Sequence, residues 1–420
     1  MALMVLKFGG TSVGNLEKLK HVAETVQSVY DAGYKVVVVV SAMSGETDRL
    51  AALARNLVHI PDLRESDVLL AAGEQVSIAL LSMILIKNGY PARSYTGAQA
   101  KIHTDNNYTK ARILHINCEN IMSELNKGMI PVVAGFQGID EYDNITTLGR
   151  GGSDTTAVAL TAALKAEECR IYTDVKGVYT ADPRVVHDAR LLKQISFKEM
   201  LELSSLGAIV LQTVAMEIAS QYKVPLRILS TFEKGMGTLI SYEDKPMNIK
   251  IVSGITFTKD ESRIIIRGII NSAEFMSLVL GAISDANIEL DMIVHNILFD
   301  GTTDFTFTIK RNDLAKTTKV IGSVLERFEN LEVVTLENVG KISLVGIGMH
   351  SHADITSKIF KVLAEKGVDI QLILTSEIKV SVLMDEKYVE SSVKALHKAF
   401  HLEDEPASCI DEMVNISEKC

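Results

Sequence analysis

Lys35-Val36-Val37-Val38-Val39-Val40 runs directly into Ser41-Ala42-Met43-Ser44-Gly45-Glu46-Thr47-Asp48. Five consecutive valines leave no polar face, which suits a parallel strand covered on both sides. The polar, turn-rich octet that follows marks the strand's carboxyl end, the edge at which open α/β sheets bind ligands. The same pairing recurs along the first half of the chain. Leu3 to Phe8 ends in Gly9-Gly10-Thr11-Ser12-Val13-Gly14, and Ile130 to Ala134 ends in Gly135-Phe136-Gln137-Gly138. Arg170 to Thr173 ends in Asp174-Val175-Lys176-Gly177-Val178-Tyr179. Apolar spacing predicts helices over Asn15 to Tyr30, Leu50 to Val58 and Arg64 to Lys87. Alternating strands and helices imply a mainly parallel α/β sheet, with its loops gathered on one edge.

A chain of 420 residues exceeds one ordinary core, so two or three domains are expected. The formal net charge of -10 argues against nucleic acid and anionic membrane as partners. Met1 to Leu6 leads straight into Lys7 and glycines, unlike a signal peptide. No apolar run approaches the roughly 20 residues of a membrane span. Cys118, Cys169, Cys409 and Cys420 lie far apart without a C-x-x-C, which indicates neither a zinc site nor a disulfide framework. A cytoplasmic location follows as the expectation. The histidines form no H-E-x-x-H, and no metal-ligating residues are assigned.

The chemistry concentrates in Thr147-Leu148-Gly149-Arg150-Gly151-Gly152-Ser153-Asp154-Thr155-Thr156, ahead of an apolar run from Ala157 to Leu164. A helix N-terminus after a glycine turn offers N–H groups to an anion, and Arg150 adds a fork for carboxylate or phosphate. The plainer reading is a helix start capped by Ser153 or Asp154. Lys7 ends a strand just before two glycines, where a phosphate contact competes with a simple solvated charge. Neither G-x-x-x-x-G-K-[ST] nor, after the first strand, G-x-G-x-x-G occurs, which disfavours a P-loop enzyme and a Rossmann dehydrogenase. Glu74 sits among Leu69, Leu70, Ala71, Ala72, Ile78 and Leu80, and a carboxylate buried there needs a partner such as an ammonium group. Asp174 and Asp182-Pro183-Arg184 bracket Tyr179 in a loop that also reads as plain turns.

Beyond the turn at Gly235 to Thr238 the chain contains an internal repeat. Strand Ile264 to Ile270, helix Ala273 to Ala286, strands Ile288 to Ile297 and Asp304 to Ile309, helix Asn312 to Phe328 and strand Leu331 to Thr335 form the first copy. Strand Lys341 to Ile347, helix His352 to Lys366, strands Val368 to Leu374 and Ile378 to Met384, and helix Lys387 to Phe400 form the second. Each order is that of a ferredoxin-like βαββαβ module.

Together these residues make the chain resemble the aspartate kinases of the amino-acid kinase family, with paired C-terminal ACT domains. The resemblance rests on Lys7 to Val13, Val39 to Met43, Gly73-Glu74, Gly135 to Gly138, Thr147 to Thr156, Tyr172 to Arg184 and Thr375 to Ile378. It implies a three-layer αβα kinase domain over residues 1–245 and ACT domains over 262–337 and 338–420, with 249–257 able to join the second. It implies transfer of the ATP γ-phosphoryl group to the side-chain carboxylate of L-aspartate, the first step toward lysine, threonine and methionine, with Mg²⁺ accompanying ATP. Lys7 and Asp154 would be catalytic, and Ser41, Thr47, Glu74, Arg150, Gly151, Gly152 and Ser153 would bind aspartate. Lys7, Phe8, Gly9, Gly10, Ser153, Thr173, Asp174, Tyr179, Thr180, Asp182, Pro183 and Arg184 would bind the nucleotide. Asp291, His295, Asn296, Asp369, Ile370, Ser376 and Glu377 would read an amino-acid effector, lysine first and threonine second. A homo-oligomer, dimer or tetramer through the ACT domains, is implied as well. Two departures stand out. A family lysine is replaced by Ile209, and the turns at Asn271 to Phe275 and Ser351 to Asp354 lack the family's Pro-Gly. The rival readings are another amino-acid kinase and an amino-acid sensor with a degenerate kinase half.

Overall fold

The structure is a computed structural model that describes residues 2–206, 211–242, 252–270, 272–328, 331–349 and 353–405. The chain divides into two compact units, Met1–Tyr179 with Leu191–Asn248, and Thr180–Arg190 with Ile249–Cys420.

In chain order the first unit contains β1 (Leu3–Phe8), α1 (Leu16–Asp31), β2 (Lys35–Val40), α2 (Glu46–Leu57), α3 (Leu63–Lys87) and β3 (Ala92–Tyr95). There follow β4 (Ile102–Thr104), β5 (Ile113–Ile116), α4 (Glu119–Asn126), β6 (Ile130–Ala134), β7 (Gln137–Ile139) and β8 (Ile145–Thr147). The rest is α5 (Gly152–Leu164), β9 (Glu168–Thr173), β10 (Gln194–Ser196), α6 (Phe197–Ser205), α7 (Thr213–Tyr222), β11 (Leu226–Ser230) and β12 (Thr238–Ser241). The central sheet has eight strands in the order β10-β12-β11-β9-β1-β2-β6-β3. Its neighbours pair in parallel except β11 with β12. The five valines of β2 are all buried and divide by parity. Val36, Val38 and Val40 share a core cluster with Leu19, Val22 and Val26 of α1 and Ile78, Leu81 and Leu85 of α3. Val37 and Val39 belong to the opposite face, where α5 packs on β1, β2 and β9. That two-sided cover is why the strand needs no polar residue. A separate four-stranded sheet, β5-β4-β7-β8, stands beside these layers.

One sequence expectation fails here. By length and composition α3 is apolar enough to cross a membrane, contrary to the reading that no such run exists. In the fold it is a core helix that buries Asp67, Gly73, Glu74, Ser77 and Ser82 along with its leucines.

The second unit contains β13 (Gly254–Ile269), α8 (Ser272–Asp285), β14 (Ile293–Ile297), β15 (Thr303–Lys310), α9 (Leu314–Leu325) and β16 (Glu332–Val345). It ends with α10 (Ala353–Glu365), β17 (Leu372–Thr375), β18 (Lys379–Asp385) and α11 (Val389–Ala399). The two modules share one antiparallel sheet, β14-β15-β13-β16-β18-β17. The strand expected from Ile264 starts at Gly254, and those expected at Leu331 and Lys341 are a single strand. Gly254 to Thr258 pair with Val345 to Lys341, while Arg263 to Arg267 pair with Leu336 to Glu332. The register shifts around Glu261. There Lys341, 4 % exposed, sits 2.8 Å from Glu261 and also engages Asp291. Thr180–Arg190 folds with this unit: Ala181 and Val186 join the core of Ile255, Ile342, Leu344 and Leu396.

Candidate active site

The loops after β1 and β2, the middle of α3 and the start of α5 enclose a cavity of about 290 Å³. Lys7 enters it from β1, between Val39 of β2 and Ile171 of β9 in register. Its ammonium lies 2.5 Å from Asp154 Oδ1, and each residue is only 8 % exposed. Such a pair holds a cation at a low-dielectric edge, where its field on a bound phosphate is little screened.

Asp154 reaches Lys7 because of how α5 begins. Gly151, at φ 74°, is the residue preceding the first turn, and no side chain caps the helix. Ser153 and Asp154 therefore do not act as caps; they stand inside the first turn, with the Asp154 carboxylate turned to Lys7. A Cβ at Gly151 would fall 2.0 Å from Gln212 Cγ, so the turn needs glycine for space as well as for φ. Exposed Arg150 stands on the preceding residue and lines the same cavity.

Glu74 faces the cavity from α3 with 2 % exposure. One oxygen accepts the Ala42 N–H at 3.0 Å, and Oε2 has no hydrogen-bond partner. Burial pushes its carboxyl up to about 7, against the smaller opposing effect of the backbone hydrogen bonds. A group poised there, with a free oxygen, gains most from an arriving cation.

The cavity thus brings together Lys7, Gly10, Ser41, Thr47, Glu74, Arg150, Gly151, Gly152, Ser153 and Asp154. Sequence reasoning missed Met43, Ser44, Asp48 and Phe136 in its lining. All four lie within strand-end loops that the sequence singled out, and that placement was the signal. Other expected residues sit elsewhere. Phe8 is fully buried and stacks on Tyr172 at 4.7 Å, which makes it a core residue. The Gly9 N–H donates to the Tyr172 carbonyl at 3.3 Å, so of the two glycines that the resemblance assigns to the nucleotide only Gly10 lines the cavity. Thr173, Asp174 and Tyr179 belong to the same unit but do not line this cavity. Thr180, Asp182, Pro183 and Arg184 belong to the second unit, and Arg184 is paired with Asp182 at 2.7 Å. Ile209, Asn271, Ser351 and His352 lie outside the described residues.

In the second unit Asp291 is engaged by Lys341, and His295, Asn296, Asp369 and Glu377 are exposed. Ile370 is half-buried against the second module's core, and the Ser376 hydroxyl accepts the Lys379 N–H at 3.2 Å. Among the described residues no group of three or more His, Cys, Asp or Glu is placed to hold a metal ion.

Comparison with known proteins adds independent findings. The model of the amino acid kinase family matches residues 2–230, and an ACT domain model matches 342–400. A protein of Pseudomonas aeruginosa named aspartokinase is 55 % identical over 409 residues, 97 % of this chain and 99 % of its own. A Pseudomonas putida protein named aspartate kinase is 54 % identical over 408 residues, again 97 % of this chain and 99 % of its own. Among solved structures, E. coli aspartokinase III in complex with aspartate and ADP shares the fold with a TM-score of 0.77. It is 24 % identical, with 94 % of this chain and 99 % of that one covered.

Proposed function

Because the chain belongs to the amino acid kinase family, among its aspartate kinases with ACT domains, we propose that the Lys7–Asp154 cavity is where the phosphoryl group moves. The reaction uses ATP and transfers its γ-phosphoryl group to the side-chain carboxylate of L-aspartate, giving 4-phospho-L-aspartate and ADP. Donor and acceptor are both anionic, so catalysis is a matter of positioning and charge neutralisation.

Each charged group in the cavity has a matching task. Glu74 Oε2 receives the α-ammonium of aspartate, and Arg150 takes its α-carboxylate through a bidentate fork. Ser41, Thr47 and Ser153 add hydroxyl contacts. The side-chain carboxylate then lies toward Lys7, which neutralises the equatorial oxygens of the transferring group. Asp154 orients Lys7, and the α5 N-terminus with the Gly10 loop completes the cradle. Thr173, Asp174 and Tyr179 serve the nucleotide's outer part. Mg²⁺ supplies further neutralisation of the phosphates. The donor set suits an ion that arrives on ATP, since among the described residues no group of three or more His, Cys, Asp or Glu is placed to keep it. The observation that carries the reading is the partnerless oxygen of a fully enclosed Glu74 in the same cavity as the Lys7–Asp154 pair.

Trapping acyl phosphate with hydroxylamine tests it. The protein with ATP, Mg²⁺ and aspartate should form aspartyl hydroxamate. Lys7→Ala and Asp154→Ala should each lower kcat by about 10²–10³. Retained turnover in either variant would remove that residue from the mechanism.

The ACT unit binds an amino-acid effector, lysine first and threonine second, and the protein works as a cytoplasmic homo-oligomer joined through it. At Asp291 an effector ammonium would have to compete with Lys341 for the carboxylate. Titration of initial rates with each amino acid, and sedimentation of the full chain, check these two statements.

A further inference from the structure

The second turn of α3 carries a carboxylate that the mechanism above does not use. Asp67 is fully buried, yet both its oxygens are occupied by donors from outside its own helix. Oδ2 accepts the Thr147 N–H at 2.8 Å, and Oδ1 accepts the Thr147 hydroxyl at 2.6 Å. The Thr109 N–H bridges the two oxygens at 3.0 Å from each. No cation shares in this arrangement; three neutral donors hold the charge.

What these donors belong to gives the contacts their meaning. Thr147 is the last residue of β8, two residues before the Gly149-Arg150-Gly151 turn that presents the arginine fork. Thr109, itself at φ 69°, packs its carbonyl under Gly149, where an added Cβ would come within 3.2 Å. Both segments that support the Arg150 turn are therefore fastened to one carboxylate of α3. Glu74 stands seven residues further along the same helix, two turns on and about 10 Å away along the axis. One rigid helix thus bears the ammonium acceptor directly and grips the base of the carboxylate fork indirectly.

We infer that Asp67 is a positioning residue for the amino-acid clamp: it fixes Arg150 relative to Glu74 so that both ends of the aspartate backbone are met at once. The inference rests on the reading that Glu74 and Arg150 bind aspartate. It assigns Asp67 no contact with substrate. Its effect falls more on aspartate than on nucleotide, because the turn that it fastens carries Arg150 itself, whereas Lys7 and the β9 loop come from other strands.

Steady-state kinetics of the full chain test this with five variants. Asp67→Asn turns an amide N–H₂ toward three donors, and Thr147→Val removes only the hydroxyl contact. Asp67→Asn should raise KM for aspartate by at least about tenfold and Thr147→Val by about three- to tenfold, with KM for ATP within about twofold of the parent. Thr147→Ser, which keeps the hydroxyl, should restore the parent values. If Asp67→Asn does not fold, Thr147→Val and Thr147→Ser decide the matter. Aspartate KM within twofold of the parent in the folded variants, or an equal rise in both KM values, overturns the inference. Arg150→Gln and Glu74→Gln separate the two levels. If these leave KM for aspartate unchanged, the clamp reading itself fails; if they raise it while Thr147→Val and Asp67→Asn do not, only the role of Asp67 fails.

Discussion

Glu74 is the residue whose charge state is open to direct experiment. Its carboxyl is raised from 4.5 to about 7 by burial. The folded value exceeds the unfolded one, so the stability associated with this group is full below pH 4.5 and is lost as pH rises through about 7. In the substrate-free protein Glu74→Gln should therefore raise Tm at pH 8, by up to about 3 kcal/mol of stability, and have little effect near pH 4.5. Aspartate binding has the opposite dependence, because its ammonium favours the ionised carboxyl. At saturating ATP, KM for aspartate should climb by up to about tenfold between pH 8 and pH 6, and the Gln variant should show a flat profile. A pH-independent parent enzyme would contradict this account. Glu74 was legible in the sequence because a lone carboxylate amid leucines, alanines and isoleucine demands an explanation. Asp67 was not. An acid two turns before Glu74 in a helix that also carries Glu65 draws no notice, and its donors come from residues 42 and 80 positions away.

At the scale of elements, α3 shows why local propensity misleads near a site. Gly73 lies in the middle of this helix, where alanine would be better by about 1 kcal/mol on propensity alone. A Cβ there would stand 2.8 Å from the Ala42 Cβ. The close approach lets the loop after β2 donate the Ala42 N–H to Glu74. Gly73→Ala should consequently lower Tm by several degrees and raise KM for aspartate, as thermal melts and kinetics would register; an unchanged Tm and KM would show that the loop shifts freely. The long elements of the kinase unit were readable, with β1, β2 and β6 falling at their expected residues, because a buried parallel strand is written as an apolar run. The three-residue strands β4, β7 and β8 have no such signature. In the second unit β13 was expected only from Ile264 and β16 as two strands, and the charged or polar Lys259-Asp260-Glu261 and Glu337-Asn338 lie where the expected strands stop short. The strands continue through them, and the Glu261 charge is met inside the sheet by Lys341.

At the scale of the whole molecule the chain is not partitioned into consecutive domains. Thr180–Arg190 leaves the first unit, packs with the second, and returns at Leu191. The Thr180 hydroxyl bonds His397 Nε2 at 3.0 Å, and its carbonyl accepts the Ile255 N–H at 2.7 Å. Nothing in Ala181-Asp182-Pro183-Arg184-Val185-Val186 announces this, since two valines in a turn-rich loop acquire a partner only through residues more than 60 positions later. A fragment ending at Tyr242 should accordingly be cut by trypsin after Arg184 and Arg190 much faster than the full chain, as peptide mapping would reveal. Equal resistance would mean that the segment keeps its shape alone.

The same excursion bears on how the protein is made. A ribosome releases the first unit's last strand long before α11, whose His397 and Leu396 complete the surroundings of Thr180 and Ala181. At about 5–20 residues per second, roughly 10–40 s separate the synthesis of Thr180–Arg190 from that of α11. The first unit is thus fully synthesised while Ala181 and Val186, in the segment that interrupts it, still lack the α11 side of their core.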